Sequence, residues 1–147
     1  MDTQATPKEI ALRYAIEAWG TKPDWEEVWD ELVAPDVIFH HVALPETIRG
    51  SKAAKSFSAS LFKGFPAIEQ TIELTVADGD KVAMLHRLEG IHSGVFLGIP
   101  PTGKLVQGTG ARFFRISGGK IVETWYETNL LGLMKQLGVT SGPVVAT

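Results

Sequence analysis

The chain has 147 residues, 44% hydrophobic and 21% charged, with a formal net charge of −3, the balance of one globular domain over residues 1–147 without the basic stripe that nucleic-acid binding needs. It has no cysteine, which removes disulfide staples, thiolate nucleophiles, Cys-ligated zinc and iron–sulfur clusters together. No apolar run approaches the ~20 residues of a membrane span, and the N-terminal residues lack the basic and apolar regions of a secretion signal, so the expected compartment is the cytoplasm with no membrane partner.

Thr6-Pro7 followed by Glu9 is the pattern of an N-cap, proline at the first helical position and an acid at the third. Ile10, Ala11, Tyr14, Ala15, Ala18 and Trp19 then recur at three-to-four spacing up to Gly20, which predicts an amphipathic helix. Asp24 can cap a second, shorter helix carrying Trp25, Val28, Trp29, Leu32 and Val33, and Ala34-Pro35 stops it. From Asp36 the period changes to two, with Val37, Phe39 and His41 alternating against Ile38, His40 and Val42, so a strand is expected and then a loop from Leu44 to Gly50. A third helix begins at Ser51, places Ala54, Phe57, Ser58 and Leu61 on one side, and ends at Gly64-Phe65-Pro66.

The rest reads as strand and turn. Ile68 to Val76 and Lys81 to His92 are β-rich runs joined by Ala77-Asp78-Gly79-Asp80, and Asp-Gly between alternating runs is a strong hairpin signal. Gln107 to Ile116 and Lys120 to Asn129 form a second pair about Ser117-Gly118-Gly119. Leu130 to Leu137 gives a short closing helix, which makes 6–138 the core and 139–147 a loose tail. Helices followed by an antiparallel meander specify an α+β domain whose curved sheet wraps the helices and encloses a cavity.

The second half carries longer motifs. His92-Ser93-Gly94-Val95-Phe96-Leu97-Gly98-Ile99-Pro100-Pro101-Thr102-Gly103-Lys104, then Gly118-Gly119-Lys120-Ile121-Val122-Glu123-Thr124-Trp125, and then Leu131-Gly132-Leu133 with Gln136-Leu137-Gly138, resemble the SnoaL-like polyketide cyclase family in order and spacing. The resemblance spans roughly residues 6 to 138. It implies the cone-shaped α+β barrel of the nuclear transport factor 2-like and ketosteroid isomerase-like fold. It also implies an intramolecular aldol chemistry needing no metal or cofactor, with an Asp ahead of the closing helix as general acid/base. Here that position is Asn129, and an amide exchanges no proton at neutral pH. Either another residue has taken the acid/base role, or the protein binds a hydrophobic ligand without catalysis.

Pairing Ser117 with Lys120 sets Phe114 opposite Glu123, Arg112 opposite Trp125, Gly110 opposite Glu127 and Gly108 opposite Asn129, all on one face if no bulge intervenes. On that register Arg112, Trp125, Glu127 and Asn129 line the cavity and Gly108 and Gly110 leave room for a ligand. Phe113, Arg115, Thr124 and Tyr126 take the other face. Glu127 is then the candidate proton acceptor, or else half of a structural pair with Arg112. His86 and His92 share a strand face with Met84, Leu88 and Gly90, where imidazole is useful as a proton shuttle; His92 can equally serve to fix the loop carrying Ile99-Pro100-Pro101.

His41 faces the same way as Val37 and Phe39, and the family resemblance implies a His here at the cavity mouth. With His86 and Glu127 it matches a two-His, one-carboxylate metal set in composition only, since nothing in the spacing is specific. Tyr14 can pack in the core or donate a hydrogen bond to a substrate oxygen, as the resemblance to ketosteroid isomerase implies; Phe57 belongs to the core or the cavity wall. The expected activity is lyase or isomerase chemistry on a hydrophobic carbonyl compound. The family resemblance further implies a homodimer through the convex side of the sheet, to which Phe113, Tyr126 and Ile121 would contribute.

Overall fold

The structure is a computed structural model and describes residues 5–139. Helix α1 (Pro7–Glu17) opens on a capping box in which the Thr6 hydroxyl accepts from the Glu9 amide at 3.1 Å and the Glu9 carboxylate accepts from the Thr6 amide at 2.8 Å. Helix α2 (Trp25–Leu32) passes at once into strand β1 (Val33–His41). Pro35, expected to separate the two, lies inside the strand instead. It falls between Val33 and Ile38, where the pairing with the neighbouring strand is interrupted, so its missing N–H breaks no ladder bond. Strand β2 (Ile48–Arg49) is a two-residue pairing against Phe39 and Ile38 within the predicted loop.

Helix α3 (Ser51–Gly64) is followed by β3 (Glu69–Asp78), β4 (Lys81–Ile91), β5 (Leu105–Ser117), β6 (Lys120–Thr128) and helix α4 (Leu130–Gln136). The strands form one mixed sheet in the order β2-β1-β6-β5-β4-β3. β1 runs parallel to β6 and the other pairs are antiparallel. The sheet does not close: β2 and β3 are its edges. No helix among the described residues is long and apolar enough to cross a membrane. Of the expected tail, residues 140–147 lie outside the described residues, while the Val139 amide donates to the Met134 carbonyl.

The helices cover one face of the sheet. Ile10, Ala11 and Ala15 of α1, Trp29 of α2 and Ala54 of α3 pack with Val82, Met84, Phe114, Ile116 and Ile121. Burying a side chain such as Phe114 is worth ~2–3 kcal/mol. A smaller cluster of Phe65, Phe96, Val106 and Leu137 forms a second centre.

Two bulges decide what faces the helices. In β3 the pairing passes from Ile72 opposite His86 to Leu74 opposite Leu85, so Glu73 is the extra residue. Leu74 and Val76 are thereby turned outward, where both are exposed. In β6 the pairing passes from Ile121 opposite Ile116 to Glu123 opposite Arg115, leaving Val122 extra. Beyond Val122 every β6 side chain is on the face opposite to the one expected from an unbroken hairpin.

Candidate functional site

A cavity of about 380 Å³ lies between the helices and the inner face of the sheet, with walls drawn from both clusters, Trp29 and Phe39 from one and Phe65 and Phe96 from the other. The sheet residues that line this apolar space include His41 of β1, His86 of β4, Arg112 of β5 and Tyr126 of β6. Period-two alternation brings the first three inward, and the Val122 bulge brings the fourth.

These groups are wired from behind. Gln70 of β3 donates its amide N–H to the Ala15 carbonyl of α1, which fixes the amide's orientation, because a carbonyl only accepts. The Gln70 Oε1 therefore accepts from His86 Nδ1–H at 3.1 Å. With its proton assigned to Nδ1, His86 presents a bare Nε2, which accepts from the Tyr126 hydroxyl at 3.0 Å. The order Ala15 carbonyl, Gln70, His86, Tyr126 is thus set by one main-chain oxygen.

The close approach depends on Gly110, which lies opposite His86 on one side and Thr128 on the other. A Cβ there would stand 2.3 Å from the Tyr126 hydroxyl oxygen and 2.6 Å from His86 Nε2. Gly110 therefore leaves room for this hydrogen bond and not for a ligand, whereas the space above Gly108 is open.

His41 is wired differently. Its Nδ1 accepts from the Ala43 amide at 3.1 Å, so its proton is on Nε2 and the ring is a hydrogen-bond donor. It stacks on Tyr126 with ring centroids 5.0 Å apart. Burial first, and the Arg112 cation second, push the His86 pKa down to about 3 and that of His41 to about 4. Both imidazoles are neutral at physiological pH. Burial raises the Tyr126 and Tyr14 hydroxyls above their ordinary value, and Arg112 opposes that rise.

Arg112 is held by aromatic faces. Its guanidinium carbon lies 5.9 Å from the ring centre of Tyr14, 5.6 Å from that of Trp19 and 5.5 Å from that of Tyr126. The Trp19 indole N–H is engaged elsewhere, donating to the Ile68 carbonyl at 3.0 Å.

Of the residues singled out by sequence, His41, His86, Arg112, Tyr14, Leu88 and Asn129 line the cavity. Glu127 and Trp125 do not: the Val122 bulge turns both to the outer face, where Glu127 is exposed and Trp125 stacks on His40 at 5.2 Å. The same bulge turns Tyr126 inward, and Ile121 is buried, so only Phe113 of the expected interface residues is on the outer face. Met84 is core beneath the cavity floor and Phe57 packs edge-on behind His41. His92 is buried away from the cavity, with Nδ1 accepting from the Thr102 amide at 3.2 Å. Asn129 caps α4, its Oδ1 accepting from the Gly132 amide at 2.9 Å. His41, His86 and Glu127 do not meet, since Glu127 is on the other side of the sheet.

Sequence reasoning missed Tyr126 and Gln70. A signal for Tyr126 was present: Arg115 and Glu123 make a cross-strand ion pair at 3.1 Å only in the bulged register. Gln70 had no signal, because its two partners come from α1 and β4 and no periodicity marks them.

The model of the SnoaL-like polyketide cyclase family matches residues 9–137. The chain belongs to this family. Among solved structures, a candidate SnoaL-like polyketide cyclase from Jannaschia sp. CCS1 is 31% identical, with a TM-score of 0.86 over 95% of this chain and 99% of that one. IdmH of Streptomyces antibioticus, a candidate polyketide cyclase, is 26% identical, with a TM-score of 0.74 over 92% of this chain and 100% of the other. AclR of Streptomyces galilaeus, a candidate hydroxylase, shares the fold at 23% identity, with a TM-score of 0.78 over 98% and 93% of the two chains. No curated protein matches the sequence.

Proposed function

We propose that this SnoaL-like protein is a cofactor-independent enzyme of the lyase or isomerase type that enolises a hydrophobic carbonyl compound in the cavity. The observation that carries this reading is the hydrogen-bonded chain from the Ala15 carbonyl through Gln70 and His86 to the Tyr126 hydroxyl beside Arg112. The substrate carbonyl oxygen accepts from His41 Nε2–H and faces Arg112. The Tyr126 oxygen takes the α-proton while its own proton moves to His86 Nε2, leaving an enolate. In the empty cavity burial first, and Arg112 second, oppose a charged His86. As negative charge grows on the carbonyl oxygen next to Arg112, that repulsion is offset and His86 gains basicity during the step that needs it. Returning the proton to a different carbon isomerises the substrate, and attack of the enolate on a second carbonyl closes a ring by aldol addition. Neither route needs a redox partner.

This assignment moves the acid/base role from Glu127 to the Tyr126–His86 pair and leaves Asn129 as a helix cap. Its test is α-proton exchange of 2-tetralone in D₂O, followed by NMR. Exchange is expected to be saturable and faster than buffer, to fall ~10²–10³-fold in Tyr126→Phe, and to be unchanged in Glu127→Gln on the outer face. A second reading, a ligand-binding protein without turnover, is favoured by the absence of Asp and Glu from the cavity lining among the described residues. Saturable binding of 2-tetralone with exchange at the buffer rate would establish that reading.

We also propose a homodimer through the outer face of the sheet. Val76, Ala83, Phe113 and Trp125 stand side by side across four strands, with Leu74 and Leu85 next to them in a partly exposed apolar patch. Sedimentation equilibrium at micromolar concentration is expected to give a dimer that Phe113→Lys dissociates; a monomeric wild type excludes it.

A further inference from the structure

The charge inside the cavity is unbalanced. Arg13, Arg87 and Arg115 each sit on a carboxylate: Glu31 and Glu17, Glu73, and Glu123 respectively. Arg112 does not. Among the described residues none of its N–H groups has an acceptor, and no Asp or Glu lines the space it faces. Arg87 is also at the cavity boundary, but its guanidinium is on the outer face with Glu73. His41 and His86, held neutral, add no second cation to it. A half-buried guanidinium left without a counter-ion among the described residues loses part of its hydration, and aromatic faces repay only part of that loss. Its planar fork matches a delocalised pair of oxygens, and its charge is permanent.

We propose that the cavity takes an aromatic or enolised ligand bearing one delocalised oxyanion, with Arg112 as its counter-ion and the walls around Trp19, Phe39 and Phe65 holding its carbocyclic body. This rests on the cavity being the small-molecule site, not on turnover. The oxyanion has two chemical sources, a carboxylate or the enolate of a β-dicarbonyl or phenolic ring.

Two pairs of measurements separate the sources. The first compares calorimetric titration of 2-naphthoate with that of its neutral isostere 2-naphthamide near neutral pH. The acid is expected to bind more than about tenfold tighter, as a charge-assisted pair predicts, with the ratio collapsing to about one in Arg112→Met while amide binding persists. The second follows the ionisation of bound 4-nitrophenol by its absorbance, with the ionisation constant expected to rise about tenfold on binding and to stay at its free value in Arg112→Met. A response in the first pair alone assigns a carboxylic acid, and in the second alone an enolate or phenolate. Equal binding of acid and amide together with an unmoved nitrophenol ionisation overturns the proposal, as does a preference that survives Arg112→Met. Because the wild-type comparisons decide the matter alone, an Arg112→Met chain that fails to fold leaves the test intact. If none of these compounds binds, the cavity is not the small-molecule site, and this inference falls with that reading.

Discussion

His86 of β4 and His92, just past the end of that strand, are exposed by only 1% and 0%, yet the two rings are built for different work. His86 has both nitrogens engaged, one on an amide that cannot change its charge and one on the Tyr126 hydroxyl at the cavity wall. His92 spends Nδ1 on Thr102, 2.9 Å from its hydroxyl as well as bonded to its amide, and leaves Nε2 buried with no partner among the described residues. It packs between Phe65 and Phe96. Its bond ties the loop after β4 to the start of β5, reinforced by the Gly103 amide donating to the His92 carbonyl at 2.8 Å. Burial is therefore no guide to function here. What decides is whether the second nitrogen meets a group that exchanges protons with the cavity.

The comparison is broken most severely at His92. His92→Ala removes the ring from between two phenylalanines and leaves Thr102 without its acceptor, and is expected to lower stability by ~3–4 kcal/mol in urea denaturation. Because the ring lies outside the cavity, affinity per folded molecule for 2-tetralone is expected to stay the same; a variant as stable as wild type with impaired binding would reverse the two roles. At the His86 end, Gly110→Ala drives a methyl group between Tyr126 and His86. The overpacking is expected to cost ~2 kcal/mol and the exchange rate to fall with the broken hydrogen bond. If Gly110→Ala exchanges 2-tetralone at the wild-type rate, the pair is not the proton relay.

Much of this arrangement was legible in the residues before any coordinates. Met84, His86 and Leu88 of β4 and Arg112, Gly110 and Gly108 of β5 follow from period two and stand opposite one another across the pair. The helix at Pro7 was written by its capping box. β6 was misread because one extra residue, Val122, inverts every later side chain, and such an inversion is invisible to alternation. It exchanged Glu127 for Tyr126 and so changed the identity of the acid/base candidate. Asn129 was readable as a cap from its position before α4; weighing it only as a replaced acid hid the simpler role. β2, two residues long, exists only through its pairing with β1.

The mildest expected effect is on the pH dependence of stability. His86 and His41 have folded pKa values of about 3 and about 4 against an ordinary value of 6.5. The unfolded chain therefore takes up protons below pH ~6.5 that the folded chain refuses until far lower pH. More protons bound to the unfolded state means that stability is full above that point and falls as the pH drops. The carboxylates held below their ordinary values, Glu9, Glu31, Asp80 and Glu123, begin to contribute only near and below 4.5. Between those limits each of the two cavity imidazoles contributes a slope of ~1 kcal/mol per pH unit. His86→Gln, which keeps an acceptor for Tyr126 and cannot be protonated, is expected to lower the slope by ~1 kcal/mol per pH unit. A wild type whose urea midpoint is flat from neutral pH down to about pH 5 would mean that water or a counter-ion reaches these rings.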